Sequence, residues 1–188
     1  MLSLVNDILD LSRIQLNEQD LQIQPIDINR ICANCITIIR HHAERGKIKL
    51  TFDVPNNMPE VLTDARRLKQ ILTNLLNNSV KFTPPDGTIH LEVKMDDHNR
   101  LRIRVTDSGI GMNAEELENA TKPFWQAQTG LDRNFEGTGL GLALVSQLLH
   151  QMNGELVLKS AVGKGTQATV YLPVKLVTDA EKAAIAAE

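Results

Sequence analysis

The chain has 188 residues, of which 42% are hydrophobic, enough for one domain of ordinary size around a single core. Its 20 Lys and Arg against 23 Asp and Glu leave a net charge of -3, and the sequence contains no basic block, so nucleic acid is not an expected partner. No apolar run approaches the roughly 20 residues of a membrane span, and the first residues do not form the basic segment that begins a signal peptide. We expect this segment to be cytoplasmic, even if a longer parent protein is anchored in a membrane.

Two cysteines, Cys32 and Cys35, form a CxxC pattern that is compatible with a redox pair or with half of a zinc site. They lie in an apolar stripe of helical spacing with Ile28, Ile31 and Ile39, and no second CxxC completes a set of four ligands. We therefore expect buried, inert thiols.

Hydrophobic periodicity predicts the order of the secondary structure elements. Heptad spacing over residues 1–15 indicates the end of a helix that packs on another helix. Further helices are predicted at 27–46, 64–83 and 140–152, with a short one capped by Asn113 and Glu116. Strands are predicted at 48–54, 89–95, 101–105, 156–160 and 166–172. Residues 122–138 show no clean period and are expected to form a mobile functional loop.

The helix predicted at 64–83 carries Asn74, Asn78 and Lys81 on one stripe beside its apolar face. The amide oxygen of Asn78 could complete the shell of a Mg²⁺ ion held by phosphate oxygens and water, and Lys81 could neutralise phosphate charge. Alternatively, these side chains only solvate an amphipathic helix.

Asp107, Gly109 and Gly111 follow directly after a predicted strand. A carboxylate at the end of a buried strand requires a partner, and it could accept a hydrogen bond from an exocyclic amine such as that of adenine. The glycines would let the backbone pass close to a planar base. The alternative is an ordinary Asp-Ser-Gly turn.

A glycine-rich turn at residues 137–142, with the sequence GTGLGL, leads directly into a predicted helix. Amide groups at a helix N-terminus form an anion site. The segment is neither a Walker A loop nor a GxGxxG dinucleotide motif. Three glycines in five residues are hard to explain as ordinary capping, so the turn indicates phosphate binding.

Five segments resemble, in order, the motifs of the ATP-binding domain of histidine kinases. They are residues 64–83 (N box), 107–111 (G1), 123–126 (F box), 137–142 (G2) and 163–166 (the last glycine motif). Residues 4–12 also resemble the end of the second dimerisation helix of these kinases.

The resemblance implies the Bergerat, or GHKL, fold. This is a two-layer α/β sandwich in which three helices cover one face of a mixed, mostly antiparallel five-stranded sheet. ATP would lie between the helices and a flexible lid at 121–138. The implied domains are the end of the second dimerisation helix (1–16), a linker (17–26), the ATP-binding catalytic domain (27–174) and a tail or linker (175–188).

The resemblance also implies roles for single residues. Asn78 would hold Mg²⁺, Lys81 would contact phosphate and Asp107 would contact adenine. Arg133 in the lid is a candidate contact of the γ-phosphate and joins Asn74, Asn78 and Lys81 in the expected catalytic set. The expected nucleotide-binding residues are Asn78, Lys81, Phe82, Asp107, Gly109, Gly111, Met112, Phe124, Gly137, Thr138, Gly139, Leu140, Gly141, Leu142 and Thr166.

Two departures from the family pattern stand out. Ser79 occupies a position where the N box usually has alanine, and Thr121 and Lys122 replace a usual Phe-Glu pair. None of these side chains is expected to contact the nucleotide, although the second departure affects how the lid docks.

Gyrases, Hsp90-type chaperones and mismatch-repair ATPases resemble this fold too, and they activate water with a glutamate four residues before the magnesium-bound asparagine. The chain has Asn74 there, and an amide cannot act as a general base. The resemblance therefore implies transfer of the γ-phosphoryl group of ATP to a histidine on the dimerisation helices, and onward to an aspartate of a response regulator. The parent would be a homodimer, whereas this segment could be a monomer.

Two other functions remain open at this stage: a degenerate kinase that serves as a nucleotide-binding scaffold, and a hydrolytic GHKL ATPase. None of the five histidines lies in an acceptor motif, and His42 is expected to pack at the edge of the core. The segment alone is therefore not expected to phosphorylate itself.

Overall fold

The computed structural model describes residues 20–126 and 138–178. The helix predicted at the start of the chain, most of the predicted lid and the end of the predicted tail lie outside the described residues. In chain order the elements are β1 (Gln24–Ile26), α1 (Ile28–Arg45), β2 (Lys49–Asp53), β3 (Val61–Thr63), α2 (Ala65–Phe82), β4 (Thr88–Met95), β5 (Arg100–Asp107), α3 (Ala114–Asn119), α4 (Gly141–Gln151), β6 (Glu155–Ala161), β7 (Gly165–Pro173) and β8 (Lys175–Leu176).

A five-stranded mixed sheet forms one layer of the domain, in the order β2-β4-β5-β7-β6. β2 and β4 pair in parallel and the other neighbours pair antiparallel. Alternate residues of β5 are buried, among them Leu101, Ile103 and Val105, while Arg102 and Arg104 between them are partly exposed. The period of two seen in the sequence therefore marks the face of the sheet that the helices cover.

The helix layer consists of α1, α2 and α4, and α2 packs against both of the others. Asp27 and Asp64 cap α1 and α2 as predicted, since each side chain accepts a hydrogen bond from a backbone N–H three residues later. The apolar face predicted for α2 is fully buried; it consists of Leu68, Ile71, Leu72, Leu75 and Leu76. The predicted two-layer α/β sandwich is confirmed. Within the described part of the chain, no helix is long and apolar enough to cross a bilayer.

Cys32 and Cys35 are buried in α1 and carry free thiols. Burial raises the pKa of the Cys32 thiol to about 12. The prediction of buried thiols is confirmed, and at neutral pH Cys32 is protonated and unreactive.

A second sheet was not anticipated from the sequence. β3 pairs antiparallel with β1 on one side and with β8 on the other. β1 comes from the predicted linker and β8 from the predicted tail, so both ends of the domain meet at β3. Two or three residues are too few for an alternating pattern, which is why the sequence does not reveal these strands.

Candidate nucleotide-binding site

The side chains of Asn74 and Asn78 lie beside the first residue of α4. A Cβ atom added to Gly141 would be 3.5 Å from Nδ2 and 3.6 Å from Oδ1 of Asn78, and 3.8 Å from Oδ1 of Asn74. Among the described residues, the side chain of Leu140, the N-cap residue of α4, makes no capping hydrogen bond. The packing of α2 against α4 therefore places amide oxygens next to the exposed N–H groups of a helix start, an arrangement suited to an anion and a hard cation.

The absence of a side chain at Gly141 is not required by packing. Its added Cβ would make only ordinary van der Waals contacts, and its φ is not positive. The missing side chain leaves space between α4 and the two asparagines, where a phosphate group could approach.

Gly139 has a different role. Its φ is +69°, and an added Cβ would lie only 2.7 Å from the carbonyl oxygen of Trp125 and 2.8 Å from the carbonyl carbon of Phe124. The N–H of Phe124 donates to the carbonyl oxygen of Gly139 at 3.1 Å. The F-box turn and the glycine turn therefore pack on each other through backbone atoms, which explains this glycine without a ligand.

Asp107 joins three separate parts of the fold. Its Oδ1 accepts from the N–H of Gly109 at 2.9 Å and from the N–H of Thr166 at 3.0 Å. Its Oδ2 accepts from the hydroxyl of Ser79 at 3.1 Å. The bond to Gly109 is that of an Asp-Ser-Gly turn, so the alternative considered from the sequence is present. The bonds to α2 and β7 go beyond such a turn and hold the carboxylate in place.

Gly109 and Gly111 are also explained by contacts within the protein. An added Cβ would lie 2.5 Å from the carbonyl oxygen of Phe82 at Gly109, and 1.9 Å from the carbonyl oxygen of Ala161 at Gly111, where φ is +67°. Backbone atoms of the protein therefore already occupy the space that a Cβ would need at these two glycines, where the sequence had suggested close approach to a base.

Lys81 is half-buried, and its Nζ lies 4.6 Å from the centroid of the Phe82 ring. Burial lowers the pKa of Lys81. A half-buried ammonium group that lies over an aromatic ring gains a stronger partner when an anion binds.

The remaining predicted residues occupy several settings. The N–H of Met112 donates to Ser160 Oγ at 2.9 Å, and Ser160 Oγ lies 2.9 Å from Thr166 Oγ1. Phe124 is 62% exposed. Thr138 Oγ1 accepts from the N–H of Leu140 at 3.2 Å.

Leu140 is buried in the core and Leu142 packs against it. The side chain of Leu140 is therefore not accessible to a ligand. Arg133 and Gly137 lie outside the described residues.

Ser79 is the residue that sequence reasoning missed. It was not expected to matter for the nucleotide, yet it is 5% exposed and contacts the predicted adenine-binding carboxylate. The sequence did contain a signal, because Ser79 follows Leu75 and Leu76 by one helical turn and so lies on the apolar stripe of α2. A hydroxyl buried there requires a hydrogen-bond partner.

The donor set suits Mg²⁺ that arrives with a nucleotide. Among residues 20–126 and 138–178, no group of three or more His, Cys, Asp or Glu side chains could hold a metal ion. Asn78 offers a single neutral oxygen beside the start of α4. Mg²⁺ commonly takes few protein ligands and keeps phosphate and water oxygens for the rest of its shell.

Residues 63–176 match the family described as histidine kinase-, DNA gyrase B- and HSP90-like ATPase, which is more than half of the chain. The chain belongs to this ATPase family. The GHKL fold that the sequence motifs implied is thereby confirmed.

Curated relatives include several histidine kinases. The chain is 40% identical over 175 residues to the circadian input-output histidine kinase CikA of Synechococcus elongatus, covering 92% of this chain and 23% of that protein. It is 38% identical over 178 residues to the non-motile and phage-resistance protein of Caulobacter vibrioides, covering 93% of this chain and 21% of that protein. The chain thus spans about a fifth of the length of these relatives.

Solved structures agree with the fold. Full-length ShkA in complex with AMPPNP superposes with a TM-score of 0.84 at 30% identity, covering 94% of this chain and 36% of that chain. The histidine kinase AdeS of Acinetobacter baumannii gives a TM-score of 0.74 at 19% identity, covering 90% of this chain and 76% of that chain, which shows a shared fold.

Proposed function

We propose that this chain contains the ATP-binding catalytic domain of a sensor histidine kinase, which transfers the γ-phosphoryl group of ATP to a histidine of a dimerisation domain. The observation that carries the proposal is the convergence of Asn74 and Asn78 on the start of α4. The relatives named as histidine kinases support it.

In the proposed complex, the 6-amino group of adenine donates to Asp107. The N–H groups at the start of α4 and the ammonium group of Lys81 bind phosphate oxygens, and Arg133 contacts the γ-phosphate. Asn78 supplies one oxygen to Mg²⁺, which neutralises phosphate charge when it is bound. The expected nucleotide-binding set is thus proposed as a whole, with Gly109, Gly111 and Gly139 shaping the backbone around it.

The reaction forms a bond between an imidazole nitrogen and the γ-phosphorus, and it breaks the bond between that phosphorus and the oxygen bridging to the β-phosphate, so that ADP leaves. Catalysis in such transfers rests on positioning and on charge stabilisation. Asn74 lies close to the proposed phosphate position, but its amide cannot take a proton from water. This favours transfer to an outside nucleophile over hydrolysis.

The acceptor histidine comes from outside the described domain. His90 lies on the half-exposed face of the sheet, 2.9 Å from Thr51 Oγ1 through its Nδ1, and His98 lies in the turn between β4 and β5. His150 is nine residues beyond Gly141 on α4, roughly 13 Å along the axis. His41 and His42 are exposed near the end of α1.

The expectation that His42 packs at the edge of the core is wrong, because the helix turns this side chain away from Ala43, which is buried. Because His42 is exposed, it is the histidine to examine first if the chain itself becomes labelled.

The partners that follow from the proposal are the histidine-bearing dimerisation helices of a homodimeric parent kinase and a response regulator. The proposal includes residues 1–16 as the end of the second dimerisation helix. A chain that spans about a fifth of its relatives is consistent with one module of a longer kinase.

The proposal is tested by incubating the chain with γ-labelled ATP and Mg²⁺, alone and with a separate dimerisation domain of the parent kinase. We expect the added domain to gain acid-labile label, weakly because the covalent linkage that raises effective concentration is missing. The chain alone should stay unlabelled. Acid-labile label on the chain alone would contradict the proposal and direct attention to His42.

Two further outcomes identify the alternatives. ATP binding without label on the added domain would indicate a scaffold. Steady release of inorganic phosphate by the chain alone would indicate a hydrolytic ATPase.

A further inference from the structure

Ser79 and Asp107 form a buried hydrogen bond between α2 and the end of β5. Ser79 is 5% exposed and Asp107 is 8% exposed. The Ser79 hydroxyl donates its one proton to Oδ2 at 3.1 Å. Neither side chain can exchange this partner freely with bulk water, so the bond is a fixed part of the site.

The donors to Asp107 are unevenly distributed. Oδ1 receives two backbone N–H groups, from Gly109 and Thr166, which use both of its lone pairs. Oδ2 receives the Ser79 hydroxyl, and the part of the chain that the structure describes supplies no second donor to it. The remaining acceptor capacity of the carboxylate therefore lies on Oδ2, the oxygen that Ser79 contacts.

The hydroxyl of Ser79 contributes acceptor capacity of its own. With its proton directed at Oδ2, its two lone pairs remain. Ser79 Oγ and Asp107 Oδ2 are then two neighbouring acceptors, and no donor proton points outward from the pair.

We propose that Ser79 is a positioning and specificity-determining residue of the purine site. Its hydroxyl fixes Oδ2 of Asp107, and the two oxygens form a pair that offers only hydrogen-bond acceptors. This pair selects a 6-amino purine over a 6-oxo purine. This inference rests on the proposed function and on adenine binding at Asp107. A 6-amino group donates to such a pair. A 6-oxo group places a third acceptor against it and leaves buried groups without hydrogen bonds, which is the arrangement that discriminates most strongly between ligands.

The test compares the affinities of the parent and Ser79→Ala for ATP and for inosine triphosphate by calorimetry in the presence of Mg²⁺. In inosine triphosphate a 6-oxo group replaces the 6-amino group and N1 carries a proton. In Ser79→Ala we expect ATP affinity to fall by about tenfold or more, the effect of one hydrogen bond to a charged group. Affinity for inosine triphosphate should change by less than about twofold. The ratio of the two affinities therefore falls by about the same factor as the ATP affinity.

Two further variants separate this role from a structural one. Ser79→Thr keeps the hydroxyl and should restore the ATP preference. Ser160→Ala removes another hydroxyl, which accepts from Met112, donates to Gly165 and lies 2.9 Å from Thr166 Oγ1 but makes no hydrogen bond to Asp107 itself. It should lower the melting temperature and leave the affinity ratio unchanged.

The outcomes distinguish this inference from the proposed function. If the parent prefers ATP and Ser79→Ala keeps the same ratio, the role of Ser79 is refuted and the proposed function stands. If Ser160→Ala changes the ratio as much as Ser79→Ala, loss of packing explains both and the inference is again refuted. A parent that binds neither nucleotide contradicts the proposed function itself.

Discussion

Asn78 on α2 faces Gly141 at the start of α4, where an added Cβ would lie 3.5 Å from its Nδ2. This spacing is that of an ordinary contact, so the packing accommodates a methyl group, whereas a phosphate bound as we propose would not. A substitution at Gly141 can therefore test nucleotide binding without disturbing the fold.

Gly141→Ala should fold normally and lose affinity for ATP. Its φ is not positive, and alanine is the better helix former by up to about 1 kcal/mol, so the melting temperature should stay the same or rise. The methyl group should displace a phosphate oxygen and lower ATP affinity by roughly tenfold or more, the equivalent of a lost charge-assisted hydrogen bond. Thermal melting without ligand and calorimetry with ATP and Mg²⁺ measure the two effects.

Gly163→Ala is the matched control for this prediction, because it should show the opposite pattern. Gly163 has a φ of +69° and no atom within 4 Å of an added Cβ, so only backbone strain results. We expect a loss of about 1 kcal/mol in stability and unchanged ATP affinity. If Gly141→Ala binds ATP like the parent, the phosphates do not lie at the start of α4.

Asp107→Asn should weaken ATP binding by about 1.5 to 3 kcal/mol, because the amide is a poorer acceptor and its Nδ2 would point a donor at the base. The variant should still fold, since its Oδ1 can keep the N–H groups of Gly109 and Thr166 while Ser79 Oγ accepts from Nδ2. Calorimetry with ATP measures the change.

Asp64→Asn provides a matched control at another buried aspartate. Its carboxylate accepts from the N–H groups of Gln22 and Arg67 as the cap of α2, and asparagine caps equally well. ATP affinity should not change in this variant. Equal losses at the two positions would mean that Asp107 acts only through the fold.

Lys81→Met should raise the melting temperature of the nucleotide-free protein at neutral pH and weaken ATP binding. Burial holds the pKa of Lys81 below its ordinary value of 10.5, so the cost of burying its charge is fully present at pH 7. The folded protein loses this proton at a lower pH than the unfolded chain does. The free-energy cost of burying the charge therefore declines as pH rises through the lowered pKa and is absent above about 10.5.

Thermal melts from pH 7 to pH 11 would test this sign. The difference in melting temperature between the Met variant and the parent should be largest at neutral pH and should vanish near pH 11. A lower melting temperature for the variant at pH 7 would show instead that the contact of Lys81 Nζ with the Phe82 ring outweighs desolvation.

The thiol of Cys32 should resist alkylation in the native protein at pH 8. Its pKa of about 12 leaves almost no thiolate, and the side chain is 1% exposed. Iodoacetamide followed by mass spectrometry should show slow labelling that becomes rapid in denaturant. Fast labelling of the native protein, or a disulfide with Cys35 under mild oxidant, would revive the redox interpretation of the CxxC pattern.

Much of the site followed from the sequence because it depends on local rules. The spacing of Asn74 and Asn78 places both amides on one face of α2 whatever the rest of the fold does. A glycine turn that enters a helix leaves N–H groups exposed in the same way. The motifs then indicated that these two features belong to one site.

The roles of the glycines could not be separated in this way. Gly139 and Gly141 look equivalent in the sequence, yet the first is packed tightly against the backbone of Phe124 and Trp125, whereas an added Cβ at the second would make only ordinary contacts with the side chains of Asn74 and Asn78. The difference lies in residues that are distant in the chain, so it depends on how α4 and the F-box turn meet.

By itself the sequence determined the five central strands, the capped helices with their buried face and the motifs of an ATP-binding domain, because periodicity, capping and short motifs act within one element. Only the tertiary structure decided that β3 pairs with β1 and β8, and that Ser79 donates to Asp107. Those contacts join residues 28 or more positions apart, and no local preference encodes them. They exist because burying a hydroxyl, a carboxylate or a strand edge costs free energy unless the rest of the fold supplies its partner.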